Sequence, residues 1–140
     1  MKQFGAILDF TKQRNTDLMK SYHARLAEAH YIVMPQIFEK VASSPSCRFW
    51  VSEERAAAVI SSLEAGRPLP ASMRPNKREM FLEIYRRYLA LRLSDLQTPL
   101  LHLVSRIVHQ PAPKFYLTPR TVGEIIYRIK KGCYRFLDNP

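Results

Sequence analysis

Ser44–Gly66, SPSCRFWVSEERAAAVISSLEAG, and Gln110–Gly132, QPAPKFYLTPRTVGEIIYRIKKG, align without a gap at an offset of 66 residues. Pro45, Phe49, Ile60 and Gly66 recur as Pro111, Phe115, Ile126 and Gly132. Arg48, Trp50, Val51 and Ser52 are matched in kind by Lys114, Tyr116, Leu117 and Thr118, and Val59 and Leu63 by Ile125 and Ile129. Upstream, Ile37, Phe38, Lys40 and Val41 fall on Leu103, Val104, Arg106 and Ile107, and Leu18 and Tyr22 on Ile84 and Tyr88. Self-similarity at a fixed period marks a repeated structural unit.

The local chemistry of the repeat is that of a capped helix. Ser52 and Thr118 suit the N-cap, where a side-chain oxygen takes a free amide of the first turn. Pro119 suits the first helical position, because its missing N–H has no partner there anyway. Ala56, Val59, Ile60 and Leu63, like Val122, Ile125, Ile126 and Ile129, recur at helical spacing. Gly66 and Gly132 supply the left-handed stop. The stretches 48–51 and 114–117 alternate aromatic and aliphatic residues and predict two very short extended segments, open to pairing with each other.

Working outward, a helical pattern runs from Phe4 toward Met34, where Pro35 forces a boundary. Short helices are expected over 35–43 and from Thr98-Pro99 to near Gln110, and a longer one over 76–93, with Glu83 and Arg87 paired four apart. The expected fold is all-α, with six to seven helices in a single compact domain of residues 1–140. Two helix–helix–loop–helix units, 1–66 and 67–140, would build it.

The charge divides unevenly between these halves. The chain has 22 Lys plus Arg and 12 Asp plus Glu, a formal net charge of +10. Residues 1–70 hold 9 against 7, and residues 71–140 hold 13 against 5, so the second half carries +8. A basic half points to a polyanionic partner, nucleic acid first. The 46% hydrophobic content is that of a folded chain. No apolar run approaches the roughly 20 residues of a membrane span. The start lacks a signal-peptide pattern, so the expected location is cytoplasmic.

The paired helices share a buried stripe and differ outside it. The outer face of the second carries Arg120, Glu124, Tyr127, Arg128 and Lys131, with Lys130 at the apolar edge. The first carries Glu54, Ala58, Ser61, Ser62 and Ala65 in the matching places. Cations with an interleaved aromatic suit phosphate contact and base stacking. The expected nucleic-acid-binding residues are therefore Lys114, Arg120, Tyr127, Arg128, Lys130, Lys131 and Arg135, with duplex DNA favoured over RNA. The ordinary reading is a solvated helix with cations near its C-terminal dipole, which accounts for Lys130 and Lys131 but not Arg120. A loose helix-turn-helix likeness stops at the linker, since Gln110–Leu117 is longer than the usual three or four residues. The small residues Ala58, Ser61 and Ala65 suit close helix packing, in a homodimer or against another protein.

The strings RFWVSEERAAAVI (48–60), RPNKREMFLEIYRR (74–87) and PAPKFYLTPRTVGEIIYRIKKG (111–132) give the chain a resemblance. It resembles a group of short helical proteins of Bacteroides-type gut bacteria, with a suggested link to mobile elements. The resemblance spans roughly residues 10–134 and implies a bacterial, cytoplasmic protein. It brings no activity and no functional residues.

Enzymatic chemistry is not expected. His23 and His30, and His102 and His109, are each seven apart, about 10 Å along a helix, too far for one pair to share a metal. Cys47 and Cys133 have neither disulfide-framework nor metal-site spacing. No nucleophile-elbow, zinc-protease or phosphate-loop pattern occurs, and four glycines leave little for a phosphate cradle. The expectation is a DNA-binding regulator or accessory factor without metal or cofactor. The alternative is a helical protein-interaction or oligomerisation module.

Overall fold

Two hydroxyl caps start the paired helices. Ser52 Oγ accepts the amide of Arg55, and Thr118 Oγ1 accepts the amide of Thr121, each at 3.1 Å. Gly66 and Gly132 end them at φ of 87° and 78°, a conformation that glycine adopts without a Cβ penalty. A computed structural model describes residues 2–132, with side chains from residue 10 onward.

The described chain is all-α, with six helices and no strand. They are α1 (Lys2–Glu28), α2 (Met34–Ala42), α3 (Glu53–Glu64), α4 (Pro75–Ser94), α5 (Leu100–Val108) and α6 (Pro119–Lys130). Segments 48–51 and 114–117, expected as extended pairs, are irregular loops instead. Their apolar rings turn inward: Phe49, Phe115 and Tyr116 are buried, and Tyr116 adopts φ of 59°. Residues bent this way cannot hold the alternating pleat of a ladder. The first helix stops at Glu28, and the α1–α2 turn leaves Tyr31 and Ile32 exposed.

The bounds of the helices recur at the sequence offset. α2 and α5 begin at 34 and 100 and end at 42 and 108; α3 and α6 begin at 53 and 119 and end at 64 and 130. α1 and α4 end at 28 and 94. Each interval is 66 residues.

Contacts group these helices otherwise than by sequence halves. One unit contains α1, α2 and α6, and the other α3, α4 and α5. The expected division into 1–66 and 67–140 is thus replaced by 1–46 with 113–140, and 47–112. The loops after α2 and α5 each carry the chain from one unit into the other, because the apolar stripe of each third helix is buried within the unit it enters.

In the unit of α1, α2 and α6, Leu18, Tyr22, Ile37, Val41, Val122 and Ile126 form the core. In that of α3, α4 and α5, Ile84, Tyr88, Leu103, Ile107, Ala56 and Ile60 do so. Burying such aliphatic side chains contributes roughly 1.5–3 kcal/mol each before conformational entropy is charged against it.

The two units place their tyrosines alike. Tyr22 accepts a hydrogen bond from Lys130 Nζ at 2.8 Å, and the ammonium also lies 4.8 Å from the ring centroid. Tyr88 donates to Glu64 and accepts from Arg92 Nε at 3.0 Å. Arg92 further donates to the carbonyls of Asp95 and Thr98, tying the α4 C-terminus to the turn that follows.

Candidate nucleic-acid interface

The outer face of α6 is where sequence reasoning puts the interface. Val122, Ile125 and Ile126 point into the core, so helical geometry turns Arg120, Glu124, Tyr127, Arg128 and Lys131 to solvent. All five are exposed, and Tyr127 keeps 60% of its surface.

Their partners differ. Arg120 Nε donates to Glu124 at 3.2 Å along the helix. Lys130 is held by the Tyr22 hydroxyl and ring. Lys131 lies 5.3 Å from the Tyr127 ring centroid, and Lys114 5.7 Å from that of Tyr116. Arg128 has no hydrogen bond, ion pair or ring partner among the described residues. Arg135 lies outside the described residues.

Lys114 sits apart from the rest, at the loop before α6, where its carbonyl accepts a hydrogen bond from Ser46 Oγ at 3.3 Å. Structure therefore brings together Arg120, Tyr127, Arg128 and Lys131, and commits Lys130 to the core edge.

A shallow groove runs beside this face, lined by Phe38, Arg120, Gly123, Glu124, Tyr127 and Arg128. Gly123 creates it. A Cβ at this position would lie 2.8 Å from Phe38 Cε2, so α6 approaches α2 closely only because residue 123 has none. Neither Phe38 nor Gly123 was legible as part of the site. A glycine inside a helical run was the available signal, since such a residue costs about 1 kcal/mol unless close packing compensates.

The matching face of α3 is open as well. Ala58, Ser61 and Ala65 are exposed, and no other described helix covers them. Ala58 instead borders a cleft of about 180 Å³ with Arg55, Leu63, Arg67, Leu69 and Met73. Arg67 Nε is bonded to Ser62, and Arg78 reaches the Pro70 carbonyl at 2.7 Å. These arginines were not singled out from the sequence because they are spread from 55 to 78.

Other charged groups are structural. Arg87, expected as part of a solvated face, bonds Glu83 at 2.8 Å, the Pro111 carbonyl at 3.1 Å, and covers the Phe49 ring at 4.9 Å. Glu83 is held to about 2 by the hydrogen bond from Arg86 and then that from Arg87. Arg48 bonds the Phe49 and Val51 carbonyls at 3.0 and 2.9 Å and lies over Trp50; burial lowers its pKa. His109 faces Glu53 across 2.7 Å, and that hydrogen bond is the main cause of a lowered Glu53 pKa. Among the described residues, no three His, Cys, Asp or Glu side chains converge as a metal site. No described helix is long and apolar enough to cross a membrane.

No protein-family model, curated protein or solved structure matches the chain. The functional reading rests on the geometry and charge of the two units.

The charge asymmetry changes once residues are grouped by unit. Residues 2–46 and 113–132 hold 11 Lys/Arg and 5 Asp/Glu, a net of +6. Residues 47–112 hold 10 and 6, a net of +4. The +2 and +8 of the sequence halves become nearly equal, because basic α6 and near-neutral α3 lie in units opposite to their sequence neighbours.

Proposed function

We propose that the protein binds nucleic acid through the outer face of α6. The observation that carries this reading is the exposed Tyr127 with Arg128 and Lys131 on the same helical face, Arg128 having no partner among the described residues. An aromatic face between cations supports base stacking and phosphate contact in one strip. Arg120 lies one turn before Glu124 on that strip and can exchange its carboxylate for a phosphate. In this reading Lys130 contributes charge at long range, since its ammonium is held by Tyr22. Duplex DNA is the first probe, as a regulator or accessory factor would require.

Fluorescence anisotropy of labelled duplex, single-stranded DNA and RNA across a salt series tests the proposal. Micromolar or tighter binding with a steep salt slope is expected, because each neutralised phosphate releases counterions. Arg128→Glu with Lys131→Glu should weaken binding by at least tenfold, while Lys77→Glu on α4 changes it little. Equal losses from both would mean diffuse charge attraction and would reject the assigned face.

A second reading is favoured by a separate observation. Leu82, Leu89 and Leu93 fall along one side of α4, followed by Leu96, and are 48%, 44%, 87% and 77% exposed. Spacings of seven and four place the helical three on one stripe. Such a row supports a protein-interaction or self-association module. Light scattering of the wild type against Leu89→Glu/Leu93→Glu checks it; a monomer in both cases rejects self-association.

A further inference from the structure

We propose that the chain consists of two copies of one three-helix motif that have exchanged their third helices, and that two residue sets dictate the exchange. With a shift of 66 residues, α1 and α2 correspond to α4 and α5, and α3 corresponds to α6. Yet α6 completes the unit of α1 and α2, and α3 completes that of α4 and α5. The packing pattern also recurs. α2 packs on α6 as α5 packs on α3, α1 on α6 as α4 on α3, and α1 on α2 as α4 on α5. Each helix pair is therefore a docking surface whose partner is the third helix of the other half.

The first set selects by size. Phe38 on α2 faces Gly123 on α6, where a Cβ would meet the ring at 2.8 and 2.9 Å. The corresponding residues are Val104 on α5 and Ala57 on α3, a smaller side chain with a larger one. Sequential packing would put α3 on α2 and drive the Ala57 methyl into the Phe38 ring. Interiors packed at crystal-like density have no room to absorb that overlap.

The second set selects by charge. Tyr88 is bonded by Arg92 and by Glu64, a cation from α4 and a carboxylate from α3. At the equivalent places stand Tyr22, Leu26 and Lys130. Leucine at 26 leaves the Tyr22 hydroxyl without a helix-borne cation, so Lys130 of α6 fits there. Sequential packing would bring Lys130 against Arg92 at Tyr88, two cations on one hydroxyl. It would also place Glu64 opposite Tyr22 with no arginine nearby. Like charges brought together penalise the wrong partner, which is how pairing specificity is enforced elsewhere.

Once both copies lie in one chain, the outer faces of the third helices are free to diverge. One became basic and aromatic, the other small and near-neutral. The inference stands whether or not α6 binds nucleic acid, because its tests read folding rather than binding.

Nuclear Overhauser contacts in the full chain test the exchange itself. The Phe38 ring is expected to contact the Gly123 α-protons; a contact to the Ala57 methyl in their place would overturn the arrangement. Stability cycles test the two sets. Glu64→Lys should lower the urea midpoint, and Arg92→Leu, which installs the residue found at position 26, should recover part of that loss. Gly123→Ala should lower the midpoint, and Phe38→Val, which installs the residue found at 104, should recover part of it. Additive losses in both cycles would overturn the assignment of these residues as determinants. Losses that are additive in one cycle only would remove that set and leave the other.

Discussion

The hydroxyls of Tyr22 and Tyr88 occupy equivalent places in the two units, but opposite charges hold them. Lys130 serves Tyr22, and Glu64 with Arg92 serves Tyr88. The apolar core around each is conserved in shape between the units, whereas the polar ties are not. The difference teaches that the aliphatic stripe defines the three-helix motif, while the polar edge defines which helix completes it.

The largest expected effects come from the shared core and bear on how alike the units are. Ile60→Ala and Ile126→Ala each remove a fully or nearly fully buried side chain. Each should cost about 2–5 kcal/mol in urea unfolding. Costs agreeing within about 1 kcal/mol would support equivalent packing, and a much cheaper Ile126→Ala would break the comparison.

Tyrosine edges should separate the units next. Tyr88→Phe leaves Glu64 and Arg92 without their hydroxyl and should cost about 1–3 kcal/mol. Tyr22→Phe removes one bond to a largely solvated ammonium and should cost under about 1 kcal/mol. Equal costs would remove the claimed asymmetry.

The helix caps should again be alike. Ser52→Ala and Thr118→Ala each orphan a first-turn amide, and about 1 kcal/mol is expected from each by thermal unfolding.

The smallest effect is a pH dependence particular to the unit of α3, α4 and α5. Glu83 falls from the ordinary 4.5 to about 2 in the folded chain. A depressed folded pKa means that the unfolded state binds the proton more readily, so the stabilisation is full above pH 4.5. It is lost as pH falls through about 2. Glu83→Gln should flatten the stability profile across that interval, with little change at pH 7 beyond the lost ion pairs. An unchanged profile would show that Arg86 and Arg87 do not hold the carboxylate in solution.

The helices themselves were legible along the chain. Ser52, Thr118, Pro119, Gly66 and Gly132 marked starts and stops correctly, and the apolar spacing identified Val122, Ile125 and Ile126 as core. The exposed side of α6 followed from the same spacing. What was not legible was the commitment of its cations, because Lys130 meets Tyr22 across 108 positions of sequence. Nor was the role of Gly123, since the Phe38 ring that requires it lies on another helix.

By itself the sequence determined the elements: capping, periodicity and glycine stops are local, so residues a few positions apart suffice to fix them. Tertiary structure alone decided which helices share a core. That choice depends on shape and charge between surfaces far apart in the chain, such as Phe38 with Gly123 and Tyr88 with Glu64. The +8 of the second half was correct arithmetic on the chain, and the exchange of α3 and α6 redistributed it to +6 and +4. Charge acts through distance in space, and the sequence order of these helices does not preserve it.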